Sequence, residues 1–273
     1  MRLCSSRRLL ATRSGVDVIT CHQRFDASGM ARPYYGALLS PLALRSGMHV
    51  LDAGCSLGRR TAAICYQVGR IGSVVAVDDD NSVVKAARSN QGRERQIALG
   101  WVIPTPDPGD ECIQCNGCML KGEASIPQFE HIDTFSSLHH ADGSFDCVVE
   151  DRVLQRSESP LQVVKELVRV LKPGGRFSAG VVAAMADRTD SDSQLASWLH
   201  APLAFAAEEL PTLLEEAGLE EVRLTSVPLG LAEARGTLGV SGSSVPAVPS
   251  TLSTAGLALT LLTCSGQKSA SWQ

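Results

Sequence analysis

From Met48 onward, short apolar runs alternate with segments of helical composition. His49 to Ala53 predicts a strand running into Gly54, and Thr61 to Val68 a helix stopped at Gly69. Ser73 to Val77 is apolar and rich in valine, as a buried strand requires, and Asp78 closes it. Ser82 to Arg88 reads as the next helix, and strands are expected at Gln128 to Ile132 and Phe145 to Val149. In PLQVVKELVRVLKPGG, residues Leu161, Val164, Leu167, Val168 and Leu171 share one helical stripe, which Pro173-Gly174-Gly175 ends. Phe177 to Val182 reads as a strand and Glu208 to Ala217 as a helix closed by Gly218. Glu221 to Val227 and Leu257 to Thr263 form a final strand pair.

Strands alternating with helices predict an α/β fold with a parallel sheet covered on both faces. No helix-like segment separates the last two strands, so they are expected as an antiparallel pair at one edge. The stretch GTLGVSGSSVPAVPSTLSTAG between them is rich in Gly, Ser and Pro and reads as a loop, at about 235–255. Glu94 to Pro127 is too long for an ordinary connection and reads as an inserted excursion. The expected domain is 37–266, between an N-terminal segment 1–36 and a tail 267–273.

Composition narrows the class. The chain has 273 residues, 44% apolar and 20% charged, as in an ordinary globular protein with a large core. Lys plus Arg number 25 against 29 Asp plus Glu, a net charge of −4 that argues against a broad nucleic-acid surface. No apolar run approaches a membrane span. Nine cysteines without a regular framework point to a reducing compartment. The N-terminus MRLCSSRRLLATRSG carries four arginines and no acid, which reads either as an organellar transit peptide or as a basic tail. Cytoplasm, mitochondrion and plastid are the expected compartments.

The chemistry centres on VLDAGCSLG at 50–58. In a parallel α/β sheet, ligands bind beyond the carboxyl ends of the strands, where this turn lies. Glycines allow close backbone approach, and the following helix offers free N–H groups. A dinucleotide fingerprint fails here, because Ser56 and Arg59 stand where its second and third glycines belong. The spacing is acid-x-Gly-x-x-x-Gly.

That turn, followed in order by VVAVDDD, FEHIDTFSSLHHADGSFDCVV and EDRVLQRSESPLQVVKELVRVLKPGGRF, resembles the class I S-adenosylmethionine-dependent methyltransferases. The likeness runs roughly from Ser46 to Val227 and leans toward the ubiquinone and menaquinone biosynthesis C-methyltransferases. It implies a Rossmann-like three-layer sandwich with a mostly parallel seven-stranded sheet whose last strand is antiparallel. It also implies S-adenosyl-L-methionine as cofactor, with Asp52, Gly54, Ser56 and Gly58 around its methionine part. Asp78 would accept from both ribose hydroxyls, Asp133 and Thr134 would meet the adenine, and Asp151 would line the site beside the reactive centre. Each acid also has a plainer reading: Asp52 as a turn residue, Asp78 as a helix cap with Asp79 or Asp80 as competitors, Asp133 as a turn residue.

Two positions depart from the family's pattern. Ser56 stands where the family usually has Gly, and Arg156 where the branch often shows His. The expected function is methyl transfer to a small-molecule acceptor by direct displacement, with the cofactor carrying the activated methyl group. The alternative is a non-catalytic relative with an assembly or regulatory role. No base is assigned; candidates are His139, His140, Asp151, Glu150 and Tyr34 or Tyr35, the histidine pair reading equally as solvated loop. Cys112, Cys115 and Cys118 in C-x2-C-x2-C resemble the start of an iron–sulfur run, but Gly122 stands at the expected fourth cysteine. Zinc there would need another ligand, such as His131; a cysteine-containing surface loop is the plainer reading, and no metal is expected.

Overall fold

A strand buried on both faces must be apolar at successive positions, and His49–Ala53 satisfies this: all but His49 are buried. This strand, β2, lies inside the sheet in a computed structural model that describes residues 8–9, 18–27, 31–102, 124–184, 203–206, 209–227 and 259–271. The other strands are β1 (Arg8–Leu9), β3 (Ser73–Asp78), β4 (Gln128–His131), β5 (Phe145–Asp151), β6 (Leu171–Ala184), β7 (Leu203–Ala206), β8 (Leu219–Val227) and β9 (Leu259–Lys268). The helices are α1 (Val18–Ala27), α2 (Ala31–Leu39), α3 (Arg59–Val68), α4 (Asn81–Val102), α5 (Pro160–Val170) and α6 (Glu209–Glu216).

Seven strands form the body of the sheet in the order β4-β3-β2-β5-β6-β9-β8. Neighbours from β4 to β6 run parallel, and β9 lies antiparallel between β6 and β8. This is the expected Rossmann-like sandwich with its antiparallel last strand. Two short strands extend it: β7 runs parallel to β6 at Ala183 and Ala184, and β1 pairs antiparallel with β7.

Alternation along β3 sorts the layers. Val77 joins one cluster with Leu51, Val148 and Phe177 against Val164, Leu167 and Val168 of α5 and Leu210, Leu213 and Leu214 of α6. Ala76 faces the other way, onto Val84 and Ala87 of α4 and Phe129 of β4. Lys268, at the end of β9, donates to the carbonyls of Val168 (2.9 Å) and Leu171 (2.7 Å), capping the last turn of α5 with a cation.

Three elements differ from the sequence reading. Helix α5 stops at Val170, and Leu171 already pairs with Phe145; Pro173 disfavours helix in the residue before it, so the chain extends ahead of the Pro-Gly-Gly. Helix α4 continues to Val102, well into the expected excursion, with no proline between Asn81 and Val102 to interrupt it. The segment 1–36 holds α1 and the start of α2, whose Phe25, Tyr34 and Tyr35 are buried in a mutual edge-packed aromatic group. The Cys112–Cys118 cluster and the loop at about 235–255 lie outside the described residues. Among the described residues, no helix is long and apolar enough to cross a membrane.

Candidate functional site

The turn after β2 folds back over the end of β3. The N–H groups of Gly54 and Cys55 both donate to the Val77 carbonyl, at 2.9 and 3.1 Å. Gly54, Ser56 and Gly58 all have positive φ, at 69°, 54° and 89°. At Gly54 a side chain is excluded twice over: its φ is left-handed, and a Cβ would lie 2.6 Å from Val153 Cγ2 and 2.8 Å from the Asp151 carbonyl. Ser56 holds its left-handed conformation without that freedom.

Asp52 is fully buried and accepts from Arg60 Nε (2.8 Å), from Arg60 Nη2 and from Thr61 Oγ1 (2.5 Å). Arg60 Nη2 also reaches the Gly54 carbonyl (3.0 Å), and Nη1 stands 2.7 Å from Asp151. Asp151 accepts from Tyr34 Oη (2.7 Å) and from Arg152 Nε and Nη2 (2.9 and 3.0 Å). Two acids and two arginines thus form one buried network of zero net formal charge. Burial alone would raise the Asp151 carboxyl; Arg152 and Arg60 instead hold it well below the usual carboxylate range. Burial and the Asp151 charge push the Tyr34 phenol well above its ordinary value. Both carry fixed protonation at neutral pH, so neither is a base. Burial raises Glu150 to about 8; its carboxyl accepts from the Leu154 N–H (3.0 Å) and serves that turn.

The end of β3 differs. Asp78 is buried, yet its nearest cation, Arg156, stands 3.8 Å away and is engaged at 2.8 Å with Asp79. Burial pushes the Asp78 carboxyl up to about 6 against the opposing pull of Arg156. One oxygen accepts from the Ser56 N–H (3.3 Å), the other from the Asp80 N–H (3.2 Å). The Ser56 hydroxyl is buried with no hydrogen-bond partner. An orphaned hydroxyl beside a carboxylate with acceptor capacity to spare fits a vicinal diol such as a ribose. Asp133 and Thr134, just past β4, are exposed. Asp80, the competitor for Asp78's role, instead caps α4 through Ser82 and Val83.

The structure therefore joins Asp52 to Asp151, and Ser56 to Asp78. His139 and His140 sit apart from both pairs, against Glu130. Sequence reasoning missed Arg60 and Arg152. A usable signal existed for Arg60: it stands two residues past the glycine turn, on the first turn of a helix whose neighbours Thr61 to Ile64 are all buried.

Residues 51–179 match the methyltransferase domain family. A ubiquinone/menaquinone biosynthesis C-methyltransferase of Haemophilus ducreyi is 25% identical over 210 residues, covering 69% of this chain and 70% of that one. An arsenite methyltransferase of Aquipseudomonas alcaligenes is 32% identical over 146 residues, covering 53% of this chain and 35% of its own length. The chain spans well under two thirds of the length of several curated relatives it matches. A Haemonchus contortus phosphoethanolamine N-methyltransferase, solved with S-adenosyl-L-methionine, superposes with a TM-score of 0.63 at 13% identity, covering 92% of this chain and 56% of that one. At that identity the likeness shows the fold.

Proposed function

We propose that this protein, whose residues 51–179 match the methyltransferase domain family, is a class I S-adenosylmethionine-dependent methyltransferase that transfers a methyl group from that cofactor to a small-molecule acceptor by direct displacement. The bound cofactor supplies a methyl carbon already activated by its sulfonium. The unpartnered Ser56 hydroxyl beside Asp78 carries the reading. Asp78 and Ser56 would hold the ribose, the Gly54–Gly58 turn the amino-acid end, and Asp133 and Thr134 the adenine. The Gly54 carbonyl is shared with Arg60, and Asp52 and Asp151 act by fixing Arg60 rather than by meeting the ligand directly. Tyr34, reaching Asp151 from α2, closes the site from the N-terminal side. No protein base is invoked: the acids at the site are ion-paired or tied to backbone, and displacement by a lone pair needs none.

Calorimetry with S-adenosylmethionine and S-adenosylhomocysteine tests the cradle, with Asp78→Ala as control. Micromolar binding lost in the variant supports it, and no binding by a folded wild-type chain rejects it. Labelled methyl transfer then tests acceptors. Arsenite and demethylated quinones head the panel, because relatives named for such acceptors match, and Cys112, Cys115 and Cys118 offer thiols to the former. A second reading, a non-catalytic relative that keeps the fold, draws on one observation: Asp52 and Asp151 are both committed to Arg60. Cofactor binding without turnover on any acceptor would select it.

A further inference from the structure

On the outer strand β4, Glu130 extends an oxygen toward two histidines of the following loop. Its Oε2 lies 3.3 Å from His139 Nε2 and 3.4 Å from His140 Nε2, and all three atoms fall within 4.8 Å of one another. These separations are too long for charge-assisted hydrogen bonds, which run ~2.7–2.9 Å. Glu130 Oε2 is in fact buried with no hydrogen-bond partner, facing only the two imidazoles. Zinc with N and O ligands at ~2.0–2.1 Å has tetrahedral edges of about 3.3–3.4 Å, matching both measured pairs.

The loop is held ready for this. Leu138, next to the pair, donates its N–H to Glu166 (2.6 Å) and accepts from Arg169 at its carbonyl (3.1 Å), so α5 fixes the backbone that presents both imidazoles. The His139 and His140 rings lie 4.2 Å apart with 31° between their planes, and Phe145 packs edge-on against His140 at 5.3 Å. Two imidazoles and a carboxylate are a donor set suited to zinc, with the fourth position left open.

We propose that Glu130, His139 and His140 form a zinc site that clamps the loop after β4 onto its own strand. The clamp grips the chain on both sides of Asp133 and Thr134. It is separate from the turn at Gly54.

The test uses the full chain, stripped with chelator and titrated with zinc, then with Co2+ as a spectroscopic probe. One equivalent should bind and raise Tm. His139→Ala and Glu130→Gln should each weaken binding at least about tenfold, as loss of an outer partner alone already does. His139 is 66% exposed, so its variant tests the site without disturbing the core. A chain with Cys112, Cys115 and Cys118 all changed to Ser should keep the site. Failure to bind one equivalent overturns the proposal. So does an intense thiolate-to-cobalt band that vanishes in the Cys→Ser chain, or binding that His139→Ala leaves unchanged.

Discussion

Asp78→Asn separates stability from ligand binding at one position. Asp78 is 2% exposed, and burial lifts its carboxyl from 3.8 to about 6. Two units correspond to about 3 kcal/mol that the folded state gives up when Asp78 is ionised. The sign follows from the raised value. The penalty is absent below the unfolded carboxyl range near about pH 4, grows as pH rises toward 6, and is complete above it. Asparagine keeps an oxygen for one backbone N–H, from Ser56 (3.3 Å) or Asp80 (3.2 Å), and loses the other. That loss costs about 1 kcal/mol. The variant should therefore be about 1–2 kcal/mol more stable than wild type at pH 7 and no more stable at pH 4. Urea unfolding at the two pH values reads this directly. Calorimetry on the same samples should show S-adenosylmethionine affinity reduced at least about tenfold, because a diol loses its charged acceptor. A variant less stable at pH 7, or a difference independent of pH, refutes the account of Asp78 as an ion held at a cost for a ligand.

Arg60→Met should lose about 3–5 kcal/mol in urea unfolding at pH 7, since Asp52 is left as an uncompensated buried charge. Asp151 is held below its unfolded value, so the unfolded chain takes up that proton first; the gap to wild type should narrow as pH falls below about 4, and a gap constant with pH would contradict the assigned pairing. Ser56→Gly should raise stability by about 1 kcal/mol, because glycine accepts φ 54° freely and removes an orphaned hydroxyl. The same change should weaken ribose binding, seen as a lower affinity in calorimetry. Tyr34→Phe should lose about 1–2 kcal/mol through the Asp151 hydrogen bond, with Tm as the readout.

The sequence by itself determined the alternation of strands and helices, the glycine turn, and the order of the pieces that mark the domain. These features are local: a period of two or 3.6 residues, a φ that glycine tolerates, and a proline that stops a helix all act within a few positions. The stripe on α5 and the apolar run of β2 were legible for that reason. So was Asp78 as the acid at the end of β3, though its distinction from Asp80 rested on which carboxylate caps α4. Only the tertiary structure decided which charges meet. Arg60 links Asp52 to Asp151 because β2 and β5 are neighbours in the sheet although 99 positions separate those two acids. Tyr34 joins them from α2, a helix that precedes the alternating strands and helices. Glu130 meets His139 and His140 because α5 pins the loop that carries them. A charged side chain has no periodicity that names its partner. Sheet order and packing bring distant acids and bases within a few ångströms, where low dielectric makes each pairing decisive.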